Sequence, residues 1–145
     1  MKLSGAYQIN ALRQKVWDAL NNPDVLTKCI PGCEKLERTE ADTYTATLKV
    51  GVAGIKGNYM GKVSLKDIVP PTSYTLLVEG KGAPGFIKGA SKIHLADKDG
   101  GTEVKYEADM QVGGLIAAVG SRMIEGAGKM MAEQFFKALA AEVAK

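Results

Sequence analysis

Polar and apolar residues alternate along much of the first 112 positions, which is the pattern of β-strands that bury one face. A first strand is predicted over residues 3–9, and six more are predicted between about Cys33 and Val112. The connections between them are short, which favours an antiparallel meander over parallel strands joined by crossover helices. The positions expected to face inward are Tyr44, Ala46, Leu48, Val50 and Val52, then Tyr59, Gly61, Val63 and Leu65, then Tyr74, Leu76, Val78 and Gly80, then Ile87, Gly89, Ser91, Ile93 and Leu95, and finally Val104, Tyr106, Ala108, Met110 and Val112.

Two short helices are predicted between the first strand and the rest of the sheet. Asn10 is suited to cap a helix that continues through Leu20, because its side-chain oxygen can accept a hydrogen bond from a free backbone N–H group. Asn22 can cap a second helix in which Pro23 takes the first position. That helix should end near residues 31–32, since proline disfavours a helical residue before it and glycine permits a sharp turn.

The C-terminal part of the chain has a different period. From Leu115 to Lys145 the apolar residues recur at helical spacing, which predicts one amphipathic helix of about 30 residues, long enough to cross a whole sheet. Gly120, Gly126 and Gly128 lie inside it, and each costs up to ~1 kcal/mol relative to alanine. We therefore expect its N-terminal half to be bent, mobile or closely approached by another part of the chain.

The composition is that of one globular domain spanning residues 1–145, with 46% hydrophobic side chains, 24% charged side chains and a formal net charge of +3. No block of five or more basic residues occurs, so a nucleic-acid partner is not expected. No apolar run reaches the roughly 18–20 residues of a membrane span, and the first 20 positions do not resemble a signal peptide. We expect a cytoplasmic protein, with peripheral contact at the inner face of the membrane left open.

The sequence offers no arrangement of side chains that indicates a catalytic or metal site. Cys29 and Cys33 are the only cysteines and His94 is the only histidine, too few for a disulfide framework or an ordinary zinc site. The two cysteines flank a turn, and in a reducing compartment we expect them to be packing residues. His94 falls on the outer face of its predicted strand. We therefore expect no catalytic residues, no metal and no cofactor.

This order of elements predicts an α+β protein of the helix-grip type: a curved antiparallel sheet of about seven strands around a long C-terminal helix, with two short helices after the first strand. So curved a sheet cannot press its whole inner face onto one helix, and an apolar cavity should remain between them. Small inward residues support this, since they leave volume where a filled core would hold Leu or Ile; they are Gly5, Gly61, Gly80, Gly89, Ser91 and Ala108. The alternative is that the glycines only allow the strands to bend.

The expected cavity supplies the candidate binding residues. Inward tyrosine hydroxyls could hydrogen-bond a ligand carbonyl, and helix methionines could adapt to varied ligand shapes, although each could equally be ordinary core. Apolar residues in the loops at 52–57 and 81–88 lie between lysines, so they could gate the cavity, touch a membrane or partner, or pack back on the core. The predicted ligand contacts are Tyr59, Gly61, Tyr74, Val78, Phe86, Gly89, Ser91, Tyr106, Ala108, Met123, Ala127 and Met130, and the predicted entrance is formed by Ile55, Phe86 and Ile87.

Several segments also carry a family resemblance. They are Leu-Ser-Gly-Ala-Tyr-Gln-Ile at 3–9, Val-Trp-Asp-Ala-Leu at 16–20, Asn22-Pro23, the turn Cys29-Ile30-Pro31-Gly32-Cys33, the glycine-rich stretch 51–61, Gly113-Gly114-Leu115 and Phe135-Phe136. Together they resemble the G-subunit family of carbon monoxide dehydrogenase, which belongs to the START-like, or polyketide-cyclase-like, superfamily of helix-grip proteins. The resemblance spans nearly the whole chain, and the Ile-Pro-Gly-Cys turn is its most specific part.

The resemblance implies an accessory protein found beside molybdenum hydroxylases of the carbon monoxide dehydrogenase type, which anchors the enzyme at the membrane or carries quinone to and from it. With the expected cavity, this predicts non-catalytic binding and transfer of a hydrophobic small molecule, a quinone or another lipid-like ligand. Two alternatives stay open. One is a docking or assembly protein that recruits the enzyme to the membrane, and the other is a cyclase- or hydratase-like enzyme, since the same superfamily includes catalysts.

Overall fold

The computed structural model of the protein describes residues 1–51 and 55–145. Val52, predicted to continue an alternating strand, and residues 53–54 of the predicted hairpin tip lie outside the described residues. In chain order the described elements are β1 (Lys2–Ile9), α1 (Arg13–Leu20), α2 (Pro23–Cys29), β2 (Cys33–Glu40), β3 (Thr43–Val50), β4 (Gly57–Val69), β5 (Ser73–Gly82), β6 (Gly85–Lys98), β7 (Gly101–Gly113), a 3-10 helix (Gly114–Val119) and α3 (Ser121–Val143).

The seven strands form one antiparallel sheet in the order β1-β7-β6-β5-β4-β3-β2. Each strand from β2 to β6 pairs with the next along the chain, and β1 pairs with β7. The register places inward residues opposite one another, so that Tyr106 lies between Gly5 and Ile93, and Ile93 lies opposite Tyr74. The helix-grip architecture predicted from the alternation is therefore confirmed.

The first helix begins later than the sequence predicts. α1 starts at Arg13, and its N-cap is Leu12, whose side chain makes no capping hydrogen bond. The prediction that Asn10 caps this helix is wrong. The reason is a turn held against the sheet, in which the Thr102 hydroxyl donates a 2.8 Å hydrogen bond to the Ala11 carbonyl and keeps the residues before Leu12 out of the helix.

The second helix begins as predicted. The Asn22 side chain accepts a 3.0 Å hydrogen bond from the Asp24 backbone N–H, and Pro23 takes the first helical position. The helix ends at Cys29, just before the turn that contains Gly32. Gly32 has a φ of 75°, and a Cβ there would collide with the backbone of β3, so this turn requires glycine.

The prediction of one uninterrupted C-terminal helix of about 30 residues is wrong in its first part. A 3-10 helix precedes α3, which is 23 residues long. Gly120 separates the two with a φ of 95°, a backbone conformation outside the right-handed helix that glycine adopts readily. The 3-10 helix is also fastened to the β5–β6 turn, because the Ile116 N–H donates to the Pro84 carbonyl at 2.8 Å.

The most deeply buried residues gather where α1, β1, β6, β7 and the C-terminal half of α3 meet. Leu95, Val104 and Leu139 have no exposed surface there. On the same side, the Phe136 ring of α3 stacks on the Tyr7 ring of β1 with their centroids 4.5 Å apart. The core thus fills one part of the concave side of the sheet, and a cavity lies beside it.

Candidate ligand-binding cavity

A cavity of about 270 Å³, partly open to solvent, lies between the concave face of the sheet and the helices. All three α-helices and six of the seven strands contribute side chains to it, and twelve of its sixteen lining residues are purely apolar. Burying apolar ligand surface there is worth about 25 cal/mol per Å², so the cavity suits a hydrophobic ligand. It is lined by Leu20, Leu26, Ile30, Leu36, Tyr44, Val63, Leu65, Tyr74, Leu76, Val78, Ser91, Ile93, Tyr106, Ala132, Phe135 and Phe136.

The small inward residues mostly allow close approach of other groups. A Cβ on Gly5 would stand 2.7 Å from Cε1 of Tyr106, so the Tyr106 ring fills the space that Gly5 leaves. A Cβ on Gly89 would collide with the Asp109 backbone, because β6 and β7 lie close together there. Of the six small residues singled out in the sequence, Ser91 lines the cavity. The cavity is therefore bordered mainly by large apolar and aromatic residues and not by the glycines.

Two hydroxyl groups in the cavity make no hydrogen bond to any described residue. They belong to Tyr74 on β5 and Ser91 on β6, which are 5% and 7% exposed. Within the described residues, every side-chain nitrogen or oxygen that is fully shielded from solvent has a hydrogen-bond partner. The two unpartnered hydroxyls are therefore not fully shielded, and they face the open space of the cavity. Burial is the main reason that the pKa of Tyr74 lies far above its ordinary value, and the neighbouring Tyr44 raises it further. Its hydroxyl therefore stays protonated and can donate.

A third hydroxyl, that of Tyr106, lies at the base of the cavity beside Tyr7. The two rings are nearly parallel, with centroids 6.3 Å apart, and the Phe136 ring stacks against both of them. Desolvation by burial raises the pKa of both hydroxyls. These groups are therefore neutral hydrogen-bond donors at physiological pH and bring no charge into the cavity.

The fourth hydroxyl, that of Tyr44, accepts a hydrogen bond from an arginine on the edge strand β2. Arg38 Nη2 donates to Tyr44 Oη at 2.7 Å, and the guanidinium carbon lies 5.2 Å from the centre of the Tyr44 ring. The two residues are paired across β2 and β3. Arg38 is exposed whereas Tyr44 is 4% exposed. A cation thus lies at the edge of the sheet, behind a tyrosine that faces the cavity.

Four of the predicted ligand contacts line the cavity, namely Tyr74, Val78, Ser91 and Tyr106. The other predicted contacts lie elsewhere. Tyr59 is buried on β4, but its hydroxyl donates to the Ile55 carbonyl at 2.6 Å and so fastens the loop before that strand. Gly61, Gly89 and Ala108 are on the concave face of the sheet without lining the cavity.

The predicted entrance residues occupy different surroundings from one another. Phe86 belongs to the convex face, because alternation along β6 sends it to the side opposite Ile87. It is 46% exposed, and its ring covers Gly113 on β7, where a Cβ would collide with it. Ile87 is half-buried on the concave face, where its side chain approaches Gly80. Ile55 is half-buried beside β4, and none of the three lines the cavity.

The part of α3 that reaches the cavity is nearer the C-terminus than the sequence analysis places it. Met123 and Met130 are 53% and 43% exposed, and Ala127 is buried outside the cavity. Ala132 and Phe135, with the neighbouring Phe136, supply the α3 wall instead. The bend at Gly120 changes the direction of the chain before α3, which a straight helical projection cannot anticipate.

Besides Ala132, Phe135 and Phe136 on α3, the lining residues that were not predicted as ligand contacts fall into two groups. Those on the strands were predicted to face inward but were not distinguished from ordinary core, except Leu36 on β2, which was not assigned to a face. Those on α1 and α2 had a weaker signal: Leu26 and Ile30 are four positions apart and so share one side of the chain where α2 ends. Which inward residues border empty space depends on how far the helices stand from the sheet, and that distance is not encoded locally.

A solvent-exposed groove of about 490 Å³ adjoins the cavity between α3 and the turn after α2. The two share consecutive residues: Ile30 lines the cavity and Pro31 the groove, while Met131 and Gln134 of the groove precede Ala132 and Phe135 of the cavity. Met130, predicted to contact ligand, lies in this groove. The groove and the cavity are therefore lined by neighbouring residues of α3 and of the turn after α2.

The remaining chemistry-bearing residues form no second site. Cys29 is buried and Cys33 half-buried, and burial raises the pKa of both thiols, which makes them poor nucleophiles. Outside residues 52–54, no three of the His, Cys, Asp and Glu side chains are grouped as metal ligands. No helix in residues 1–51 or 55–145 is long and apolar enough to cross a membrane.

The sheet order, the C-terminal helix and the apolar cavity define a START-like helix-grip protein with a space for a hydrophobic ligand. Solved structures with the same fold include a START superfamily protein from Mycobacterium smegmatis, with a TM-score of 0.77 at 12% identity over 99% of this chain and 97% of that one. They also include Ara h 8.0201, with a TM-score of 0.72 at 17% identity over 99% and 97% of the two chains.

The family profile of the carbon monoxide dehydrogenase G subunit (CoxG) matches residues 5–144, and the chain belongs to this family. The resemblance found in the sequence is therefore confirmed. A conserved protein from Geobacillus kaustophilus has the same structure, with a TM-score of 0.96 at 38% identity, and the match covers 99% of this chain and 95% of that one. Among curated proteins, none is significantly similar to this chain.

Proposed function

We propose that this protein binds a hydrophobic small molecule reversibly in its cavity and transfers it without catalysis. The observation that carries the proposal is a partly open cavity walled by apolar side chains, with four hydroxyls and no carboxylate or imidazole among its lining residues. A cavity of that composition offers orientation through hydrogen bonds but no acid–base pair. The CoxG family name supports a partnership with a carbon monoxide dehydrogenase. We further propose that the ligand is a quinone that serves this molybdenum hydroxylase.

The volume of the cavity limits which part of a quinone it encloses. About 270 Å³ is slightly below the ~300–1,000 Å³ range of small-molecule pockets. We therefore propose that the cavity holds the quinone ring and that the isoprenoid tail leaves along the groove lined by Pro31, Met130 and Met131. Methionine side chains suit a flexible tail, because they adapt to apolar surfaces of varied shape.

The single tryptophan provides a direct binding assay. The Trp17 ring meets the ring of Tyr74 edge to face, with centroids 5.2 Å apart, and Tyr74 lines the cavity. A quinone in the cavity should quench Trp17 fluorescence in a saturable way. We expect menaquinone-1 to bind in the micromolar range or better, which corresponds to about −8 kcal/mol. Protein purified from cells that make menaquinone should also release it on solvent extraction.

A matched pair of variants on β5 tests whether binding occurs in the cavity. Val78 lines the cavity, whereas its neighbour Leu77 is 40% exposed on the convex face. V78F should weaken quinone binding at least tenfold and L77F should leave it unchanged. Saturable quenching that V78F and L77F affect equally, or the absence of any quinone binding, would refute the proposed function.

One observation favours docking as a second function. Leu115 and Met123, at the junction of the 3-10 helix and α3, are 75% and 53% exposed, and Val119 between them is 37% exposed. Arg122 lies next to Met123 in sequence and is exposed. Exposed apolar residues beside a basic side chain are typical of a surface that contacts anionic lipid.

Vesicle binding separates this docking function from ligand carriage. The wild-type protein should co-sediment with vesicles that contain phosphatidylglycerol and less with neutral phosphatidylcholine vesicles, and 0.5 M salt should reduce the difference. L115S/M123S should abolish co-sedimentation without changing quinone affinity. Equal co-sedimentation of wild type and L115S/M123S would exclude this surface as the docking site.

A further inference from the structure

The rim of the cavity carries a cation whose role the binding of an apolar ligand does not explain. Arg38 lies two positions after Leu36 on β2, and alternation places both on the concave side of this edge strand. Leu36 lines the cavity, whereas the guanidinium of Arg38 lies against the Tyr44 ring and bonds its hydroxyl oxygen. Arg38 is therefore in direct contact with Tyr44, which lines the cavity.

The hydrogen bond from Arg38 fixes the direction in which the Tyr44 hydroxyl donates. A phenolic hydrogen stays close to the ring plane, and the oxygen that accepts from Arg38 Nη2 at 2.7 Å cannot direct its own hydrogen at the same atom. The hydrogen must therefore point away from the rim. A charged donor also polarises the O–H group, so that it donates more strongly to its next partner.

We propose that the cavity selects ligands that carry a neutral carbonyl oxygen, which the Tyr44 hydroxyl binds, and that Arg38 is the positioning residue for this hydrogen bond. The inference rests on the proposed function, because it assumes that the cavity is the binding site. It adds the chemical group that is recognised and the end of the cavity at which recognition occurs. Tyr74, whose hydroxyl also faces the cavity near Tyr44, supplies a second donor to the same region.

A neutral acceptor fits this arrangement better than an anion does. A carboxylate inside the cavity would lose its hydration, which is costly unless a cation contacts it directly. Arg38 is exposed at the rim, and the Tyr44 ring separates it from the cavity. The guanidinium can therefore polarise the hydroxyl without forming a buried ion pair with the ligand.

Two probes that differ in their carbonyl groups test the proposal. Menadione has the naphthoquinone ring, and 2-methylnaphthalene has the same two fused rings without oxygen. Y44F should weaken menadione about 5- to 10-fold, the cost of about 1–1.4 kcal/mol for one hydrogen bond, and leave 2-methylnaphthalene unchanged. R38M should weaken menadione about 2- to 5-fold, R38K should restore part of that loss, and K137M, which replaces an exposed cation on α3, should have no effect.

Infrared spectroscopy distinguishes a positioning role from a structural one. Menadione bound to the wild-type protein should show one carbonyl stretch at lower frequency than in hexane, because a hydrogen bond weakens the C=O bond. In R38M and Y44F that band should return towards its frequency in hexane. Loss of affinity in R38M with an unchanged carbonyl band would mean that Arg38 only supports the fold, and would overturn the proposal.

The remaining outcomes separate this inference from the proposed function. If both probes bind and Y44F weakens them equally, the cavity binds hydrophobic ligands without reading a carbonyl, and only the present inference fails. If neither probe binds, the proposed function fails as well. If 2-naphthoate binds more tightly than menadione and 0.5 M salt removes the difference, Arg38 is a counter-ion for anionic ligands, which also contradicts the proposal.

Discussion

Ala132→Leu is the perturbation that separates the requirements of the fold from those of the ligand. Ala132 lies on α3, is half-buried and lines the cavity. Leucine is a good helix former, so the substitution does not disturb the backbone of α3. Because Ala132 lines the cavity of about 270 Å³, we expect the three added carbon atoms to occupy part of that space. We therefore expect the variant to be more stable than the wild type and a poorer ligand binder.

The magnitude follows from the area that the new side chain buries. Three carbon atoms at about 0.8 kcal/mol each give roughly 2.4 kcal/mol, and about 0.5–1 kcal/mol is lost as leucine rotamer entropy. The net gain of ~1.5 kcal/mol in the free energy of unfolding corresponds to an increase of roughly 3–6 °C in Tm for a chain of this size. A ligand that loses roughly 55 Å² of apolar contact to the new side chain should bind about tenfold more weakly.

Thermal and urea unfolding measure the first effect, and menaquinone-1 titration followed by Trp17 fluorescence measures the second. Ala141→Leu is the matched control, because Ala141 is exposed on the same helix and should change neither quantity measurably. A loss of stability in A132L would mean that the space beside Ala132 is already filled and that leucine overpacks it. Unchanged quinone affinity would mean that the ligand binds elsewhere, and either result would refute the reasoning.

Four further substitutions test individual parts of the structure. Gly126→Ala should raise the free energy of unfolding by about 0.5–1 kcal/mol, because a Cβ at this α3 position meets nothing within 4 Å. Gly89→Ala should instead cause a large loss of stability, because its Cβ would collide with the β7 backbone. Urea unfolding of the two variants measures both effects. Asn22→Ala should cost about 1 kcal/mol by removing the cap of α2, again measured by urea unfolding. Above pH ~10 the unfolded chain loses the Tyr74 proton that the folded protein retains, so the stability of the protein should fall as pH rises. Tyr74→Phe should make that fall shallower by up to about 1.4 kcal/mol per pH unit, measured by unfolding between pH 9 and 11.5. An identical slope in wild type and Tyr74→Phe would contradict the assigned burial of this hydroxyl.

The arrangement of the strands was accessible from the sequence because alternation is a local signal. Val104 and Tyr106 face inward and Lys105 faces outward whatever the neighbouring strand does, and the same period predicts the faces of β3 to β6. The register then follows from short connections between antiparallel strands. Asn22 was also predictable as a helix cap, since its action depends only on the next two residues.

The wrong predictions concern positions at which distant residues decide the local structure. Asn10 does not cap α1 because Thr102, on β7, holds the preceding turn. The C-terminal helix breaks at Gly120, where the segment before it is fastened to Pro84. A sequence shows that glycine permits a bend but not that a contact about 30 positions away requires one.

The site was only partly accessible for the same reason. Tyr74 and Ser91 were identified because the strand pattern placed hydroxyls on the concave face, and a hydroxyl in an apolar surface is conspicuous in a sequence. The pair Arg38 and Tyr44 was missed, although its members are only six positions apart, because β2 has too little alternation to reveal which residues of this edge strand face the cavity. Edge strands with many charged residues carry a weak pattern of faces.

The most direct test of the central claim is the location of a bound quinone by NMR. In a complex of methyl-labelled protein with menaquinone-1, we predict intermolecular NOEs from the naphthoquinone ring to Leu36, Leu65 and Leu76, which line the cavity on three different strands. NOEs confined to Leu115 and Val119, the exposed residues before α3, would instead place the quinone on the surface and contradict the account.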